Sequence, residues 1–208
     1  MKVETTATER VRTFYEKTAG SYETWISVFE RVMLDDGRRW ICSQAEGDVL
    51  EIAVGTGRNL SFYPAAVRLT GVDLSSAMLA IAETRAAQLA RPVALALADA
   101  QGLPFRDSGF DTVVCTLSLC AIPDEQRAIA EVRRVLRQGG RFLVLEHVRS
   151  PNPVVKAGQR LLEPLMMRLA CDDLMRDPLD HLEDMGFRVV RSERTRLGIV
   201  ERLVALKP

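Results

Sequence analysis

The residues best suited to chemistry in this sequence are three acids and two glycines set among apolar runs. The stretch VLEIAVGTGRNL, residues 49–60, carries Glu51 inside such a run and then Gly55-Thr56-Gly57. Glycine has no Cβ, so the chain can turn sharply there and bring its backbone close to a ligand. Asp73 follows Glu51 by about twenty positions, the spacing at which an acid accepts hydrogen bonds from both hydroxyls of a ribose. Asp99 closes the next apolar run, where a carboxylate can receive the exocyclic amine of an adenine. Each acid also has a plainer role open to it. Asp73 is equally a helix N-cap before SSAML, Asp99 a solvated turn residue, and Glu51 a salt-bridge partner of Arg58.

A dinucleotide would rest its pyrophosphate on a G-x-G-x-x-G turn, but Leu60 stands where the third glycine belongs. Glu51 would also repel a pyrophosphate and attract a cation. The loop therefore suits a positively charged nucleoside that ends in an amino acid and has no phosphate. His147, in LEHV, is either a hydrogen-bonded structural histidine or a general base near an incoming substrate, and Glu146 beside it points to the other face of its strand. The four cysteines form no CxxC pair and only His147 and His181 could join them, so no zinc site is expected. Cys115 and Cys120 read as core residues. The aromatic-rich FYEKTAGSYETW, residues 14–25, reads as a packing arm or a lid over a substrate.

These residues need elements to position them. Periodicity predicts helices over 5–18 and 24–44, then strands over 48–54, 67–73, 92–99, 110–119 and 141–148. Helices alternate with them: one beginning at RNLSFYP, whose N-terminal amides and dipole would face a carboxylate, one after N-cap Ser75, and one over 124–140 ended by Gly139-Gly140. Helical pieces follow at 154–170 and 174–185, and two last strands, FRVVRSERT and IVERLVALK, turn back on each other at Leu197-Gly198. Strands nearly continuous in Val, Leu, Ile and Ala, alternating with helices, imply a parallel sheet covered on both faces. Val154, Val155, Leu161, Leu162, Leu165, Met166 and Leu169 form one helical stripe. It suits packing on its own domain, an apolar wall for an acceptor, or peripheral membrane contact.

Composition narrows the partners. The chain has 208 residues, 47% of them apolar and 27% charged, with zero formal net charge, as in a single soluble domain. Scattered basic residues exclude a nucleic-acid footprint, and no run approaches the ~18 apolar residues of a membrane span. The polar start, MKVETTATER, and unpaired cysteines give the expectation of a cytoplasmic protein.

At LEIAVGTG, GVDLSSAML, ALADAQGLPFRDSGFDTVVCTLSL, EVRRVLRQGGRFLVLEHV and HLEDMGFRVV, the chain resembles the class I S-adenosylmethionine-dependent methyltransferases. Within them it is most similar to the small ubiquinone/menaquinone-biosynthesis type and the related alkyl-thiol S-methyltransferases. The resemblance covers roughly residues 11–206; Ala53 replaces the first glycine of the family's E-x-G-x-G-x-G. It implies an α/β, Rossmann-like fold with a seven-stranded, mostly parallel sheet, one antiparallel edge strand and helices on both faces. It divides the single domain into an N-terminal helical lid (1–46), a cofactor-binding core (47–150), a substrate-cover insertion (151–175) and a C-terminal helix and strand pair (176–208).

The resemblance also implies S-adenosyl-L-methionine as cofactor. Glu51, Gly55, Gly57 and Leu117 would lie at its methionine end, Asp73 at its ribose, Leu74, Met78, Asp99 and Ala100 around its adenine, and Tyr22 in the lid. The acceptor expected is a small, largely apolar molecule, a thiol or a phenol/quinol-type ring, with a tilt to sulfur from EHVRSPNPVVKAGQRLLEPLMMRLACDDLMR. The membrane-anchoring N-terminus of animal members of that branch is not expected here. A nicotinamide-dependent oxidoreductase, disfavoured by Leu60, and a non-catalytic nucleoside-binding domain are the alternatives. Oligomeric state is not readable.

Overall fold

The computed structural model describes residues 6–208. Helix α1 (Ala7–Met33) and the short α2 (Gly37–Cys42) lead into strand β1 (Asp48–Ile52). Strand β2 (Arg68–Asp73), helix α3 (Ser76–Gln88) and strands β3 (Val93–Leu97) and β4 (Phe110–Thr116) follow. Helix α4 (Glu125–Val135), strand β5 (Leu136–His147), helices α5 (Pro153–Ala170) and α6 (Leu179–Leu182), and strands β6 (Arg188–Thr195) and β7 (Val200–Leu206) complete the chain.

The seven strands form one sheet in the order β3-β2-β1-β4-β5-β7-β6. β1 to β5 are mutually parallel, and β7 runs antiparallel to both β5 and the edge strand β6. The reversed strand thus lies one place in from the edge. Alternating residues feed two cores. Leu50, Ile52, Val113, Cys115, Phe142 and Val144 pack on the α4 face, while Val49, Val114, Leu143 and Leu145 pack on the α2 face. Both faces being covered is why these strands read as continuous apolar runs. Strand order reverses between β1 and β4, which opens a crevice at their carboxyl ends.

Four helical expectations change. The helices expected over 5–18 and 24–44 join through Gly20 and Ser21 as α1 and break instead at residues 34–36, beyond which Gly37–Cys42 is the separate α2; a single glycine costs only ~1 kcal/mol in a helix, less than tertiary packing recovers. Residue 5, the expected start, lies outside the described residues. No α-helix follows β1. Gly57 donates to the Val54 carbonyl, Leu60 to Gly57 and Phe62 to Asn59, so the chain descends in i→i+3 turns, and the dipole expected there has no helix to supply it. α4 ends at Val135 and Gly139-Gly140 falls inside β5, where Gly139 donates to the Lys207 carbonyl. α6 has four residues only, bounded by Pro178 and by Gly186 at φ +80°. Ser75 caps α3 as expected, accepting from the Met78 amide at 3.2 Å.

Candidate active site

A cavity of about 650 Å³, its open mouth included, occupies the crevice. Asp73, at the end of β2, lies in its wall with Gly55, Leu74 and Met78. Asp99, Ala100 and Leu117 line it too, and Val11, Tyr15 and Tyr22 of α1 roof it. Eight of the eleven expected site residues therefore meet at one cavity; Glu51, Gly57 and His147 do not line it.

The floor is held by the acids. Asp73 is buried and accepts from the Gly55 amide at 2.8 Å through one oxygen and from the Ser75 amide at 2.9 Å through the other. Burial raises its pKa, partly offset by those amides. It therefore holds the backbone of two turns and faces the cavity, while the N-cap role falls to Ser75. Asp99 accepts from the Gln101 amide and side chain, both at 2.9 Å. Ala53 and Leu117, non-glycine residues at φ +50° and +52°, end β1 and β4 against the same cavity. Left-handed backbone costs such residues roughly 1–2 kcal/mol each, and strain of this kind concentrates at functional sites.

Glu51 sits behind the loop. It is 2% exposed, accepting from Asn59 at 2.8 Å and Tyr63 at 2.9 Å. Burial pushes its pKa to about 7 against the pull of Tyr63, Arg38 and Asn59. The alternative pairing of Glu51 with Arg58 does not form: Arg58 bonds Glu23 and Glu30 instead. Gly57 is structural, since a Cβ there would lie 2.8 Å from Leu60 and 3.2 Å from Ala82, whereas one on Gly55 would enter open space.

His147 is buried at the end of β5, its Nε2 2.8 Å from Asp172 Oδ1 and its Nδ1 without a partner among the described residues. Burial presses its pKa down, but the Asp172 hydrogen bond and charge, with Glu146 behind, raise it to about 8. Glu146 accepts from the Ser118 and Leu119 amides, both at 2.8 Å, fixing the turn after β4. Cys120, His147 and Asp172 place donor atoms within 4.8 Å of one another. Burial and the Glu146 and Asp172 charges keep the Cys120 thiol protonated, and His147 Nε2 is already engaged. The group is a hydrogen-bonded cluster rather than a vacant ligand set.

Tyr15 falls within the aromatic stretch expected as a lid, whereas Asp172 and the fastening role of three acids on α1 were not expected. Glu16 accepts from Ser75 at 2.6 Å and Ser76 at 2.7 Å; Glu23 meets Thr56, Arg58 and Arg85; Glu30 meets Arg38 and Arg58. Their seven-residue spacing on α1, which places them on one face, was the available signal. The exposed stripe of α5 contributes nothing to the cavity, so the acceptor wall expected there is not found: Val154 and Leu161 are 80% and 82% exposed.

A sheet of this order, with a cavity at the strand reversal bounded by acids at the ends of β2 and after β3, defines the class I methyltransferase fold. Known proteins agree. Residues 50–144 match the family described as "Methyltransferase domain". The chain is 40% identical over 103 residues to a phosphatidylethanolamine N-methyltransferase of Cereibacter sphaeroides, covering 49% of this chain and 51% of that one. It is 35% identical over 158 residues to the human thiol S-methyltransferase TMT1B, covering 70% and 62% respectively. The match thus spans about half to three-fifths of these relatives' lengths. A solved S-adenosylmethionine-dependent methyltransferase of Thermotoga maritima superposes with a TM-score of 0.74 at 23% identity, over 95% of this chain and all of that one, a likeness of fold alone. The chain belongs to the class I S-adenosylmethionine-dependent methyltransferase family.

Proposed function

We propose that this protein transfers a methyl group from S-adenosyl-L-methionine to a small, largely apolar acceptor, a thiol or a phenol/quinol-type hydroxyl. The observation that carries the reading is the shared cavity of Gly55, Asp73 and Asp99 under the aromatic roof of Tyr15 and Tyr22. The residues fit the cofactor. Asp73 would accept from the ribose, Leu74, Met78, Asp99 and Ala100 would hold the adenine, and Gly55 and Leu117 would border the methionine end. Glu51 would act from beneath, as the buried acid that offsets a cationic ligand.

The bound cofactor supplies an electrophilic methyl group with a neutral leaving group. The protein's part is to align the acceptor and exclude water, which can contribute on the order of 7–11 kcal/mol. His147, held through Nε2 by Asp172 and set back from the cavity lining, would take the acceptor's proton at Nδ1 through one bridging water. A hydroxyl acceptor needs that help; a thiol of near-neutral pKa needs less. The likeness to a thiol S-methyltransferase favours sulfur.

Calorimetry with S-adenosylmethionine, its demethylated product and NADH tests the cofactor: the first two bind and NADH does not. Binding of NADH alone would leave the oxidoreductase reading. A labelled-methyl screen over thiols, phenols and quinols then tests the acceptor. Binding without transfer to any of them would leave a non-catalytic nucleoside-binding domain.

A further inference from the structure

Helix α5 is built inside out. At 100° per residue, Val154, Leu161, Leu162, Leu165 and Leu169 fall within about 100° of arc, and their exposures run from 51% to 82%. The one buried residue of the helix is polar. Gln159 accepts from the Ser150 amide at 2.8 Å and donates to the Val148 and Leu174 carbonyls at 2.9 and 3.3 Å. An amide clamp therefore fastens the helix to the domain and turns its leucines outward. Leu197, 72% exposed, extends the apolar surface where its carbonyl meets Ser150 beside the helix start.

We propose that this face docks on the surface of an anionic lipid membrane. Charge chooses the occupant. Arg168 is exposed at the border of the stripe and Arg160 is exposed about 100° farther round the same side; with Lys156 they outnumber the helix's single acid, Glu163. Apolar residues on one face with long cations beside them form the pattern of a helix lying in the headgroup layer, where arginine stems stretch to reach phosphates. A second copy fits less well. An 18-residue helix is about 27 Å long and about 10 Å across, a footprint short of the ~800 Å² that each partner of a stable dimer buries. Pairing two such faces would also bring like charges together. No described helix is long and apolar enough to cross a membrane, so the contact is peripheral. The inference goes beyond methyl transfer and does not depend on it.

The test is flotation of the full chain with extruded vesicles, one set of phosphatidylcholine alone and one mixed with an equal part of phosphatidylglycerol. Binding to the mixed vesicles should be tighter by roughly tenfold or more at low salt and should weaken as salt screens the attraction. Leu161→Glu with Leu165→Glu should lower binding to both sets by at least about tenfold while leaving circular dichroism and melting unchanged, since both residues are exposed. Arg160→Glu with Arg168→Glu should remove the anionic preference. Absence of vesicle binding, or binding indifferent to the leucine changes, would overturn the proposal. So would a concentration-dependent dimer that the leucine changes dissolve without any vesicle binding.

Discussion

His147 and Asp172 meet across the gap between β5 and the segment leaving α5, with Nε2 and Oδ1 2.8 Å apart. The contact ties the carboxyl end of a core strand to the chain around α5, and it leaves one imidazole nitrogen, Nδ1, buried and without a partner among the described residues. A histidine held in that tautomer can accept a proton at a defined atom. Its acid–base behaviour then belongs to the pair.

The pair makes stability depend on pH. The His147 pKa is raised from 6.5 to about 8, so its stabilisation, about 2 kcal/mol, is complete below pH 6.5 and lost as pH rises through 8. Asp172 is lowered, burial opposing but His147 prevailing, so its share is lost as pH falls through the acid range. Denaturant melts from pH 6 to 9 should show this decline in wild type and a markedly smaller one in Asp172→Asn. On a phenol acceptor, wild-type turnover should rise to a plateau above about pH 8. His147→Ala should lower it by ~100-fold or more, with a much smaller loss on a thiol. Equal small losses on both acceptors would leave His147 structural.

Asp73→Ala should weaken S-adenosylmethionine binding by roughly 1.5–3 kcal/mol, the range for hydrogen bonds to a charged group. The melting temperature should also fall, because the Gly55 and Ser75 amides lose their acceptor. Unchanged affinity by calorimetry removes the ribose assignment.

Two glycines of one loop should respond oppositely. Gly57→Ala forces a Cβ at φ +76° against Leu60 and Ala82 and should cost about 2–3 kcal/mol in folding. Gly55→Ala, at φ +56° but facing open space, should cost only ~1 kcal/mol and act mainly on ligand affinity. Parallel melting and titration measurements separate the two.

Glu51 should report a cation arriving nearby. Its pKa, raised from 4.5 to about 7 by burial, means that folding favours its protonated form, so stability falls as pH rises from 4.5 through 7. Binding of a positively charged cofactor at pH 7 should lower that pKa and release part of a proton. Calorimetry in buffers of different ionisation enthalpy measures the release, and Glu51→Gln should abolish it. A buffer-independent heat in wild type would separate Glu51 from the ligand.

Glu23→Ala removes the acid that joins Thr56, Arg58 and Arg85 to α1. Faster cofactor dissociation and faster amide exchange across α1 are expected, with the sheet's exchange unchanged. Exchange confined to its wild-type rate in α1 would mean that packing alone holds the lid.

Much of this molecule was already written in local pattern. Buried parallel strands demand unbroken apolar residues, so LEIAV and FLVLEHV announced β1 and β5, and strand-end acids announced Asp73 and Asp99. The turn chain after β1 was illegible because RNLSFYP carries helical residues whose polar groups go elsewhere: Asn59 and Tyr63 bond Glu51. Nothing in the order of residues sets that preference.

What the sequence by itself determined is the alternation of elements, the acids at strand ends and the glycine loop, because these follow from side-chain periodicity and from where Cβ is missing. What only the tertiary structure decided is how distant groups face each other. It closed α1 over the cavity through Glu16, Glu23 and Glu30, joined His147 to Asp172, withdrew Glu51 behind the loop and turned the leucines of α5 outward. Hydrogen bonds and ion pairs between residues far apart in the chain depend on where the fold places them, and no local spacing encodes that distance.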